Sequence, residues 1–135
     1  MTKEQILENF DPSQPGLSDA TIFGLPFSAE QSEIIVIPVP WEVTVSYGAG
    51  ASKGPEAVLN ASFQIDLKHQ EFPELWKLGI YLDKAPSELR KKSKKFKKQA
   101  APIIKALESG LILDHHPSLA KDLEEINYAC SDMVE

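Results

Sequence analysis

A chain of 135 residues, 42% hydrophobic and 25% charged, has the composition of one soluble domain or part of one. Its formal net charge of −6 opposes general affinity for nucleic acid or an anionic membrane, because either needs a positive field facing it. No run approaches the roughly 18 apolar residues of a membrane span, the opening MTKEQILENF lacks the apolar core of a secretory signal, and the single Cys130 cannot form an internal disulfide, so a cytoplasmic protein is expected.

Along the first 33 residues Pro12, Pro15, Gly16, Gly24 and Pro26 interrupt isolated apolar side chains, which predicts an irregular N-terminal arm wrapping a body. Ile34 to Val39, IIVIPV, is a β-branched run without alternation, the pattern of a strand buried on both faces of a parallel sheet. Pro38 and Pro40 should end its ladder. Gly54-Pro55-Glu56 reads as a helix start, since proline in the first turn needs no N–H partner and Glu56 suits the positive end of the dipole. A short helix is predicted over about Pro55 to Ala61, followed by a half-buried strand or extended edge over Phe63 to Leu67, where apolar and polar residues alternate.

From Ser87 the period changes. Leu89, Phe96, Ala100, Ile103, Ile104 and Leu107 recur at helical intervals and Gly110 supplies a stop, so one long helix carries Pro102 inside it. Its other face holds Arg90, Lys91, Lys92, Lys94, Lys95, Lys97 and Lys98, which reads as a solvated face in a chain that is acidic overall. A last helix runs from about Ser118, its expected N-cap, with Leu119, Leu123, Ile126, Cys130, Met133 and Val134 as its stripe. Cys130 therefore reads as a packing residue rather than a catalytic thiol, and Trp41 and Trp76 as packing anchors. The ending SDMVE stops in mid-stripe, and a buried parallel strand needs neighbours, so further strands are expected beyond residue 135 or in a partner.

The stretch SYGAGASKGPEAV, residues 46 to 58, follows the most apolar segment and tests as follows. A phosphate loop needs lysine after its second glycine, but Lys53 precedes Gly54 and Pro55 follows it, which also removes a backbone donor. A dinucleotide fingerprint from Gly48 and Gly50 would need glycine at 53, which is lysine. The order that remains is strand, flexible loop and helix. With that order, Ile37-Pro38-Val39-Pro40, Ser46-Tyr47, Gly50, Gly54-Pro55, Ala57-Val58 and Ala61-Ser62 resemble the N-terminal part of the ureohydrolase family, the agmatinase, arginase and guanidinobutyrase group. The resemblance is strong over residues 34 to 67 and looser after them.

The resemblance implies a three-layer α/β/α fold with a parallel sheet, of which residues 1–33 form an arm and 34–135 the N-terminal portion of one domain. It implies hydrolysis of a small guanidino compound of the agmatine kind to urea and an amine. It also implies a binuclear manganese site, where two divalent ions lower the pKa of a bridging water, and a homo-oligomer, trimer or hexamer. The family's three metal-ligand motifs, rich in aspartate and histidine, do not occur in residues 1 to 135, so no catalytic or metal residue is expected in this chain and the chain alone is expected to be inactive. Ser46, Tyr47, Gly48, Gly50 and Gly54 are the candidates for a substrate-entry loop, with Tyr47 open to a core role as well. Two departures leave the substrate's identity open: Ala51-Ser52-Lys53 stands where the family commonly has an arginine, and Trp41-Glu42 where it often has aspartates.

Two other readings compete. Asp114-His115-His116 after Leu111 to Leu113 resembles the signature of the DHH phosphoesterases, but the aspartate pair that such enzymes need on an earlier strand is missing, and the histidines read as a helix-entry feature. Alternatively the chain is a non-catalytic oligomerisation or interaction module. His69, Asp66 and Asp83 have no partner at a spacing that suggests acid and base roles.

Overall fold

The computed structural model describes residues 1–16, 21–45 and 48–133, and the chain divides into two units. One comprises Met1–Val39 and Lys53–Ala85, the other Pro40–Ser52 and Pro86–Glu135. The architecture is α/β, with helices and a small parallel sheet.

The first unit opens with helix α1, Lys3–Asn9, where the punctuation by proline and glycine predicted an irregular arm. Thr2 and Gln5 explain the difference. The Thr2 hydroxyl accepts from the Gln5 N–H, and the Thr2 N–H donates to the Gln5 side chain at 2.9 Å, so two orphan donors are satisfied reciprocally. Ile6 is buried against Leu25, Phe27 and Trp76, and Phe10 lies 5.2 Å from the Trp76 ring. Trp76 is the packing anchor anticipated from the sequence.

Strand β1, Ile34–Val36, pairs in parallel with β2, Ile80–Leu82, in the register Ile34 with Ile80, Ile35 with Tyr81 and Val36 with Leu82. Pairing stops short of Pro38, as a residue without an N–H requires. The expected burial on both faces is not found. Ile34 and Ile35 are each 42% exposed, because the sheet formed by the described residues has two strands and gives β1 little cover. The partner strand is also not the predicted one. Residues 63 to 67 form turns, with the Gln64 and Ile65 N–H groups donating back to Ala61 and Ser62, so they continue the chain out of the helix before them instead of pairing.

That helix, α2, covers Gly54–Ser62 with Pro55 in its first turn, close to the predicted span. Its last residue, Ser62, is buried and joins two segments: its hydroxyl donates to Leu59 O at 2.7 Å and accepts from the Phe23 N–H at 2.8 Å. At the head of β2, Gly79 has φ +74, and its carbonyl accepts from the N–H groups of Glu33 and Ile34.

In the second unit α3, Ser87–Glu108, and α4, Pro117–Asp132, follow the predicted periods. Phe96, Ala100 and Ile103 of α3 bury against Ile126 of α4 and Val43, with Trp41, Leu119, Leu123 and Cys130 packed around them. Cys130 thus lies against a core, and Val134 of the predicted stripe falls outside the described residues. Helix α3 closes as its glycine requires: Gly110 has φ +81, its N–H donates to Leu107 O at 2.9 Å, and the Leu111 N–H donates to Ala106 O at 3.0 Å. The start of α4 differs from expectation. His116 holds the N-cap position with no side-chain bond, and Pro117 takes the first turn, which places Ser118 inside the helix.

Candidate functional site

Within the segment Pro40–Ser52, which contains most of the glycine loop, one carboxylate holds two of the described loop amides. Glu42 follows an apolar stretch and its side chain is 2% exposed. Its Oε2 accepts from the Gly50 N–H at 2.8 Å and from the Ser52 N–H at 2.9 Å, while Oε1 accepts from the Lys97 ammonium. The backbone of Glu42 is held as well: its N–H donates to Ser93 Oγ at 2.9 Å, and that hydroxyl donates to its carbonyl at 3.3 Å. Ser93 and Lys97 are four residues apart on α3, so both reach the same side of the helix as the buried Phe96 and Ala100.

This arrangement satisfies the rule that a buried charge must be paired and hydrogen-bonded. The Lys97 ammonium first, and then the Ser52 and Gly50 amides, lower the Glu42 carboxyl from 4.5 to about 2, so it is an anion at neutral pH. Two glycines of the loop, Gly48 and Gly50, are exposed. Gly48 has φ +67 and Gly50 φ +141, and a Cβ at either would meet nothing within 4 Å. Glycine is required at both by backbone conformation rather than by crowding.

The remaining candidates are placed differently. Ser46 and Tyr47 lie outside the described residues. Gly54 is the first residue of α2, in the other unit, and also has open space at its Cβ. His115 and His116 lie at the turn between α3 and α4 and are exposed, their N–H groups donating to Ile112 O and Leu113 O. Among the described residues no three histidine, cysteine, aspartate or glutamate side chains form a group that could hold a metal ion. His69 stacks on Phe72 at 5.6 Å and its Nδ1 accepts from the Glu71 N–H.

Sequence reasoning passed over Glu42, Ser93 and Lys97 as one group. Glu42 entered only as a departure from the family's aspartates, although a lone carboxylate in PVPWEV is itself a signal. Lys97 was grouped with six other basic residues, and what separates it from them is its place beside Phe96 and four residues past Ser93.

No family model matches the chain, and no solved structure matches it. Curated proteins do. The N(1)-aminopropylagmatine ureohydrolase of Synechocystis sp. is 41% identical over 56 residues, which are 40% of this chain and 18% of that protein. The N(1)-aminopropylagmatine ureohydrolase of Thermus thermophilus is 37% identical over 60 residues, 44% of this chain and 17% of that protein. The chain is thus related to the ureohydrolases through a partial, N-terminal likeness that spans less than a fifth of the length of these relatives. No described helix is long and apolar enough to cross a membrane.

Proposed function

We propose that this chain is the N-terminal portion of a ureohydrolase that cleaves a small guanidino compound of the agmatine kind into urea and an amine. The likeness to two aminopropylagmatine ureohydrolases carries the reading. In the reaction water adds to the guanidinium carbon, the bond from that carbon to the alkyl-bearing nitrogen breaks, and the nitrogen leaves as the protonated amine. Within this reading the loop of Ser46, Tyr47, Gly48, Gly50 and Gly54 lines the mouth through which the guanidinium enters. The described residues supply no metal cluster, so the binuclear manganese requirement is proposed with its ligands outside this chain. The three-layer fold, a trimer or hexamer and a cytoplasmic location belong to the same proposal.

The test is urea release. Protein purified as its source produces it is weighed intact and offered agmatine, N(1)-aminopropylagmatine and arginine, with manganese and after chelation. Urea formed with manganese and lost on chelation supports the proposal. An intact mass of 15.0 kDa with no urea from any of the three overturns it in favour of an interaction module.

A further inference from the structure

We infer that Glu42 is a positioning residue for the glycine loop and that Lys97 is the counter-ion on which its hold depends. The inference rests on the proposed function only in calling the loop a substrate loop. The hold itself stands on geometry. Glu42 Oε2 takes two loop amides, those of Gly50 and Ser52, with the Ala51 amide between them left out, so the carboxylate sets the path of three consecutive residues. A turn of this kind can be wound around any acceptor, but here the acceptor is fixed at both ends. Ser93 pins the Glu42 backbone to α3, and Lys97, one helical turn further, pins the carboxylate.

The glycines make the device necessary. Gly48 and Gly50 lie in backbone regions that leave the chain many alternatives, both are exposed, and a Cβ at either would meet nothing within 4 Å, so at these two positions no crowding selects one conformation. The carboxylate supplies that selection. Its charge matters as much as its position. An anion holds two amides more strongly than a neutral acceptor, and inside a buried setting it persists because Lys97 balances it. Lys97 is the member of the basic run of α3 that makes this contact, while Lys91 and Lys95 pair with Glu88 and Glu125. Lysine at 97 therefore has a specific duty within a helix face that otherwise reads as solvated.

The experiment compares Glu42→Gln, Lys97→Met and Lys97→Arg with the unaltered protein. Two readouts are taken: hydrogen exchange resolved to the Gly50 and Ser52 amides, and KM and kcat for the best guanidino compound. Glu42→Gln and Lys97→Met are expected to speed exchange at those two amides about tenfold or more, while amides inside α3 and α4 keep their rates. Lys97→Arg, which keeps the cation, is expected to stay within about threefold of the unaltered protein. Because a loosened entry loop weakens binding before it touches the chemistry, KM should rise about tenfold with kcat nearly unchanged. Unchanged exchange at Gly50 and Ser52 in both charge-removing variants overturns the inference, and so does acceleration spread evenly over α3 and α4, which marks a general loss of stability. If Glu42→Gln does not fold, Lys97→Met decides, since Lys97 is 40% exposed and is not one of the buried core residues. Turnover is read in the protein as its source produces it, carrying the same substitutions; its absence there from every protein overturns the proposed function and leaves the exchange result to decide on Glu42.

Discussion

Replacing Gly79 by alanine should destabilise the first unit by an amount that the geometry divides into two parts. Gly79 sits at φ +74 and ψ 125, outside the left-handed helical region, where an L side chain costs about 1–3 kcal/mol. A Cβ there would also stand 3.0 Å from Gln31 O, 3.0 Å from Ser32 Cα and 3.2 Å from Phe27 Cγ. Two of those neighbours are backbone, and neither can rotate away, so overpacking adds about 1–3 kcal/mol. The expected total is about 2–6 kcal/mol. Gly110 is the control: its φ is +81, but nothing lies within 4 Å of its Cβ, so Gly110→Ala should cost about 1–2 kcal/mol from backbone conformation alone. Urea unfolding read by tryptophan fluorescence measures both, with Trp76 beside Phe27 reporting on the first unit in a Trp41→Phe background and Trp41 beside Phe96 reporting on the second in a Trp76→Phe background. Equal costs for Gly79→Ala and Gly110→Ala would refute the crowding argument, and a cost under about 0.5 kcal/mol for Gly79→Ala would refute both parts.

Further outcomes are open to measurement. Ile103 is 2% exposed in the core of the second unit, so Ile103→Ala should cost about 2–5 kcal/mol in urea unfolding, and a loss below about 1 kcal/mol would mean that this core is not formed. The Glu42 carboxyl is lowered on folding, so its contribution is fully present above its ordinary value of 4.5 and is lost as the pH falls from there through about 2. Acid unfolding of Glu42→Gln should therefore be flatter than that of the unaltered protein across this window, and identical curves would contradict the pairing with Lys97. Thr2→Ala removes one partner of the α1 capping box and should cost about 1 kcal/mol, with no change if the helix is frayed in solution. Ile35, 42% exposed on β1, is a candidate for self-association, so Ile35→Lys should lower the weight-average mass in sedimentation wherever the unaltered protein associates.

The helices of the second unit were legible because each carries its own message. Phe96, Ala100 and Ile103 repeat at the helical period, Gly110 supplies the left-handed stop, and neither needs a distant residue to be understood. The start of α2 was legible for the same reason, from Gly54-Pro55-Glu56. What failed were features decided elsewhere in the chain. Phe63 to Leu67 alternates like a strand, yet the place beside β1 is taken by Ile80–Leu82, a segment of three residues too short to announce itself. Helix α1 is short and polar, and its message lies in the Thr2 and Gln5 pair rather than in an apolar stripe. At the candidate site the glycines were visible while their holder was not. The burial of Glu42 depends on Ser93 and Lys97, and no local pattern around residue 42 records them.

The separation of those partners also orders events as the chain forms. Gly50 is 8 residues from Glu42, a distance a flexible chain closes in about 10–100 ns, so this turn can be sampled as soon as it is made. Ser93 and Lys97 are 51 and 55 residues from Glu42, and at a synthesis rate of about 5–20 residues per second they arrive some seconds later. In that interval the carboxylate remains hydrated and competes with water for the loop amides, so the turn forms and dissolves many times. Completion of α3 ends this exchange. Substitutions that delay helix formation around Ser93 should lengthen the life of the unsettled loop without altering any residue in it.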